Sequence, residues 1–95
     1  MINRQIEVPQ EVDLASFFGN FDENVKMLDK ALSVNIASRD NALRVTGEEE
    51  NVEKASQVIN MLMQIIARGE IIDQQKVLYA ITMVQENGGI DIKMM

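Results

Sequence analysis

Phe17-Phe-Gly-Asn-Phe-Asp-Glu-Asn-Val25 is followed by Val34-Asn-Ile-Ala-Ser-Arg39, then Asp40-Asn41, then Leu43-Arg-Val-Thr-Gly47, and the order of these runs decides the fold. Gly19 supplies the left-handed backbone that ends a helix cheaply. Asp22 stands where the next helix needs an N-cap, its carboxylate expected to accept the free N–H groups of the first turn. Val25, Leu28 and Leu32 mark that helix's buried side, while Lys26 and Lys30, four apart and beside Asp29, project from a solvated one. Val34, Ile36 and Ser38 alternate with Asn35, Ala37 and Arg39, and Leu43 and Val45 alternate with Arg44 and Thr46. Asp and Asn tolerate positive φ, so Asp40-Asn41 closes these two strands into a hairpin.

Outward from this stretch the pattern continues in both directions. Before it, Arg4-Gln-Ile-Glu-Val8 reads as a short half-buried strand stopped by Pro9. From Glu11, the residues Val12, Leu14, Ala15, Phe17 and Phe18 favour one side of a short helix, with Phe17 and Phe18 in the core. After it, Thr46-Gly-Glu-Glu49 resembles a capping box, and Val52, Ala55, Ile59, Leu62 and Ile66 repeat at helical spacing until Arg68-Gly69. Asp73 is placed to cap a last helix with Val77, Ile81 and Val84 on one side, ended by Gly88-Gly89. Met27 and Met61 are expected in the core.

Composition removes whole classes of chemistry. The 95 residues suit one domain, and they include no Cys and no His. A disulfide framework, a thiol nucleophile, an imidazole base and a thiolate or imidazole zinc site are all excluded. Net charge is −6, so the long-range field repels phosphate and any nucleic-acid contact has to be local. No stretch approaches the roughly 18 unbroken apolar residues of a membrane span, and no signal-peptide core is present. The expectation is a soluble, cytoplasmic chain with no cofactor, no metal and no catalytic residue. Asp22, Glu23 and Glu48 to Glu50 are read as charge complementing helix starts rather than as cation ligands.

Strand, helix, turn, helix, strand, strand, helix describes an α+β domain whose three-stranded sheet is covered on one face by helices. With Gly19-Asn20-Phe21-Asp22 in the loop, Val25 after it and Leu43-Arg-Val-Thr-Gly47 at a strand end, the sequence resembles a type I KH domain, β-α-α-β-β-α, with an additional C-terminal helix. It is similar in particular to the N-terminal KH-like domain of the PhoH family, through Glu11 to Asn24, the Val45-Thr-Gly-Glu-Glu49 junction and the helix added after Arg68-Gly69. The expected organisation is a single KH-like domain over 1–95, with its core at 4–68, the extra helix at 73–87 and a tail at 88–95. The resemblance implies a non-catalytic accessory module for single-stranded RNA, attached in a longer parent to a P-loop ATPase domain. No G-x-x-x-x-G-K-[ST] occurs here, so ATP hydrolysis is not expected of this chain.

KH loops use glycine to bring backbone N–H groups close to the nucleic-acid backbone. Here Gly19, Asn20, Phe21, Lys26, Lys30 and Arg39 are the residues expected to make such contacts. Asp22 takes the place of the second glycine and, with Glu23, opposes phosphate. At about 5 Å each carboxylate–phosphate repulsion costs roughly 1 kcal/mol in a water-like dielectric. A capped structural turn therefore competes with a binding loop. Phe21 is either a stacking platform or an anchor folded back onto the core, and an isolated loop Phe is expected to find apolar cover. The alternative reading is a protein-interaction or homo-oligomerisation module with a degenerate loop.

Overall fold

The computed structural model describes residues 1–40 and 42–87. In chain order the elements are β1 (Ile2–Glu7), α1 (Leu14–Phe18), a 3-10 turn (Asn20–Asp22), α2 (Glu23–Leu32), β2 (Val34–Arg39), β3 (Ala42–Gly47), α3 (Glu49–Ala67) and α4 (Gln74–Asn87). The domain is α+β, a three-stranded antiparallel sheet with its helices on one face, and its order is compatible with the KH-like arrangement. Of the expected turn, Asp40 does take positive φ, 52°. Asn41, the Gly88-Gly89 stop and the tail lie outside the described residues.

The strand order is β1-β3-β2, with β3 paired to both neighbours. Because side chains alternate across a strand, the register sets Ile6, Leu43 and Ser38 in one row, and Arg4, Val45 and Ile36 in the next, facing the helices. Asn3, Thr46 and Asn35, then Gln5, Arg44 and Ala37, form rows on the open face. Leu43 and Val45 are fully buried under α3, whose Val52, Ala55, Val58, Ile59 and Leu62 are fully buried in turn. α2 lies on β2, and α4 packs on α2 and α3 through Val77, Ala80, Ile81 and Val84. Phe18, Met27 and Met61 pack against this core while remaining partly exposed.

Several boundaries differ from the sequence reading for local reasons. β1 begins at Ile2 and ends at Glu7, leaving Val8 buried but outside the ladder. Arg4 sits on the helix-facing row of this edge strand. There it reaches Glu53 Oε1 at 2.7 Å and Ser56 Oγ at 3.4 Å on α3, a half-exposed tie worth at most about 1 kcal/mol. α1 starts at Leu14, because Asp13 takes the N-cap and its carboxylate accepts from Ala15 N at 3.3 Å. The capping box at Thr46 does not form: Thr46 and Gly47 remain in β3, and Glu48 takes the N-cap with no side-chain bond. α3 ends in a Schellman arrangement, with Gly69 N donating to Ile66 O and Glu70 N to Ile65 O.

Candidate nucleic-acid interface

Between α1 and α2 the chain turns in very little space. Gly19 has φ 78° and ψ −178°, a region essentially restricted to glycine. A Cβ there would lie 2.7 Å from Asn24 Nδ2. Asn24 is only 1% exposed, and its Nδ2 donates to Phe17 O at 3.2 Å, fastening the start of α2 to the end of α1. The turn continues through two left-handed residues, Phe21 (φ 54°) and Asp22 (φ 58°). Asp22 holds the N-cap position of α2, but its carboxylate makes no cap bond. The expected side-chain cap is therefore absent, since N-caps form from extended backbone.

Phe21 is 92% exposed, which overturns the expected core anchor. Phe17, fully buried, and Phe18, with ring centroids 5.8 Å apart in an edge-to-face pair, already fill the apolar space beside the turn. The left-handed backbone aims Phe21 elsewhere. Holding a bulky side chain at positive φ costs on the order of 1–2 kcal/mol.

A groove of about 440 Å³ opens between α1, this turn and the edge of β2, lined by Leu14, Ala15, Phe18, Gly19, Asp22 and Ser38. Its walls combine apolar surface with an edge strand whose outward backbone groups have no neighbouring strand. One of those groups is already taken: Ile36 N donates to Asp29 Oδ1 at 3.0 Å. Burial raises the Asp29 pKa above the ordinary carboxylate value, partly offset by that hydrogen bond.

The six expected contact residues do not converge on one place. Gly19 lines both the groove and the opening beside it. Lys26, three residues before Asp29 on α2, and Lys30, one turn further, are both exposed, and neither lines the groove. Asn20 and Phe21 line that second opening, which is bounded by the residues preceding α4. Arg39 shares a register row with Ala42 and Glu7 on the open face of the sheet, away from the groove, whereas Ser38 faces it. Sequence reasoning passed over Asn24 and Asp29. Both read as ordinary surface polar residues of a helix, and nothing local marks one as buried and the other as bound to a strand edge.

Among the described residues no three Asp or Glu side chains come together to hold a metal ion. No described helix is long and apolar enough to cross a membrane.

No protein-family model matches the chain, and no solved structure matches it. It is 33% identical over 86 residues to a PhoH-like protein of Bacillus subtilis (strain 168), an alignment covering 90% of this chain and 26% of that protein. It is 30% identical over 87 residues to a PhoH-like protein of Mycobacterium tuberculosis (strain H37Rv), covering 92% of this chain and 24% of the other. With the PhoH-like protein of Mycobacterium leprae (strain TN) the identity is 28% over 87 residues, covering 92% and 25%. The chain thus spans about a quarter of the length of the curated relatives it matches, and over nearly its own whole length it is related to the PhoH-like proteins.

Proposed function

We propose that this chain is a single, non-catalytic KH-like module that holds single-stranded RNA in the groove between α1 and the edge of β2. In this reading it serves a PhoH-like protein whose P-loop ATPase activity lies outside these residues. The groove carries the proposal: it offers apolar surface for a base from Leu14 and Phe18 and a strand edge for base hydrogen bonds at Ser38, and Lys26, exposed on the adjoining helix α2, is assigned to a phosphate. Asp22 and Asp29 oppose that phosphate. At about 5 Å in a water-like dielectric each carboxylate cancels roughly one lysine, so the affinity is expected to be weak and salt-sensitive.

Fluorescence anisotropy of a labelled mixed-sequence single-stranded RNA, at low and high salt, tests this directly. Lys26→Glu is expected to abolish binding and Asp22→Gly to strengthen it, since the latter removes a repelling charge and suits the backbone φ of 58°. No binding by either the native chain or Asp22→Gly would remove RNA from consideration.

A further inference from the structure

The second opening at the α1–α2 turn is not used by the groove. About 640 Å³ in volume, it runs between Ser16, Phe21 and Glu23 on one side and Ile71 to Asp73 on the other. Two large apolar side chains stand in it against solvent, Phe21 at 92% and Ile71 at 78% exposure. Neither is there through loose backbone. Phe21 sits in a 3-10 turn closed by Asp22 N to Gly19 O and Glu23 N to Asn20 O. Ile71 is pinned by Lys76 Nζ, which donates to its carbonyl at 2.6 Å, and by its buried neighbour Ile72. Leu78, 54% exposed, lies one turn along α4 from Gln74, whose Nε2 meets Glu23 Oε1 at 3.5 Å, so it extends the apolar surface along the α2–α4 seam.

Among the described residues the ionisable groups lining this cleft are Glu23 and Asp73, and Lys76 at its rim, with Nζ on Ile71 O, lies 3.9 Å from Glu70 Oε1. Both carboxylates stand at helix starts, Glu23 in the first turn of α2 and Asp73 accepting from Lys76 N at 3.0 Å at the start of α4. A helix start offers about half a positive charge against a full negative one, so the cleft remains net negative. Asn24 also lines it and, buried as it is, has an Oδ1 without a hydrogen-bond partner. An unpaired buried acceptor calls for a donor.

We infer that this cleft docks a protein segment carrying one bulky apolar side chain flanked by Lys or Arg. The apolar group enters between Phe21 and Ile71, and the cations meet Glu23 and Asp73. Charge complementarity selects the partner: with Lys76 at the rim already offset by Glu70 at 3.9 Å, Glu23 and Asp73 leave the cleft net negative, so it repels a nucleic-acid backbone and attracts a basic peptide. The cleft shares Ala15 and Gly19 with the groove, but Phe21, Glu23, Ile71 and Asp73 do not line the groove, so the two assignments are tested by different substitutions.

The test is a titration of the isotope-labelled full chain with N-acetyl-Gly-Arg-Leu-Lys-Gly-amide, with N-acetyl-Gly-Glu-Leu-Glu-Gly-amide as the reversed-charge probe, followed by NMR. The basic peptide is expected to shift the Ile71 methyl and Asn24 side-chain amide resonances saturably, in the millimolar range of a single buried anchor. The acidic peptide is expected to leave them unmoved. Glu23→Lys and Ile71→Ser, both exposed positions, should each weaken binding by about tenfold, equivalent to about 1.4 kcal/mol, while Lys26→Ala leaves it unchanged. Absence of a saturable shift, equal response to both peptides, or indifference to Glu23→Lys would overturn the assignment. So would single-stranded RNA moving these resonances where the peptide does not.

Discussion

Replacing Gly19 by Ala places a methyl group where the turn has no room for one. The new Cβ meets Asn24 Nδ2 at 2.7 Å and Cγ at 3.0 Å, and the φ of 78° with ψ near 180° costs a non-glycine residue of order 1–3 kcal/mol. Asn24 has nowhere to retreat, because it is buried and its Nδ2 is the donor to Phe17 O. Displacing it leaves a second polar group unpaired in the interior, which costs a further 1–3 kcal/mol or so. Together these give roughly 3–4 kcal/mol. For a domain of this size about 1 kcal/mol corresponds to some 4–8 °C, so the midpoint of thermal unfolding followed by circular dichroism should fall by about 15 °C or more. Gly69→Ala is the internal control: its φ is 90°, but nothing lies within 4 Å of the added Cβ. It should cost only the backbone term, about 1 kcal/mol. The double substitution Gly19→Ala with Asn24→Ala should recover part of the loss, the non-additivity expected of touching residues. Equal losses at Gly19 and Gly69, or strict additivity with Asn24→Ala, would show that the packing of Gly19 on Asn24 carries no weight.

Asp29→Asn keeps an oxygen for Ile36 N and removes a charge that burial disfavours. Because the folded state raises the Asp29 pKa, its neutral form is the stabilising one, and that contribution is lost as pH rises through the raised value. The variant should therefore unfold at a higher temperature than the native chain at pH 7, with the difference vanishing toward pH 3; a lower midpoint at pH 7 would contradict this. Phe21→Gly should raise the thermal midpoint by several degrees, since about 1 kcal/mol of left-handed strain is relieved and almost no buried surface is lost; an unchanged or lower midpoint would mean that the ring packs in solution. Leu28→Ala, at a fully buried position of α2, should destabilise by about 2–5 kcal/mol in urea titration; a loss below about 1 kcal/mol would contradict its place in the core.

Much of this architecture is written in periodicities. The three- and four-residue steps of Val52, Ala55, Ile59, Leu62 and Ile66 became the buried side of α3, and the alternation from Val34 and from Leu43 became the two paired strands on either side of Asp40. Asp73 also caps as its position suggests. Features that depend on what already occupies a space were not legible. Whether Phe21 finds cover depends on Phe17 and Phe18 having filled the neighbouring volume, and whether Asp22 caps depends on its φ, neither of which is a property of the residue type. The position of Arg39 was implicit in the alternation with Asn35 and Ala37, but its proximity in sequence to the groove suggested the opposite face. Asp29 reaches the edge of β2 through the short reversal at Ser33, φ 57°, a geometry that no spacing rule announces.

The placing of β3 between its two neighbours also orders events in time. Ile2 pairs with Gly47, so while the chain is being synthesised β1 emerges well before the strand that will hold it, by roughly 2–9 seconds at 5–20 residues per second. During that interval β1 has no ladder to join. Its composition suits the wait: between Ile2 and Ile6 stand Asn3, Arg4 and Gln5, with Glu7 after, so the nascent strand presents charge and amide to the ribosome surface and to chaperones rather than an adhesive apolar run.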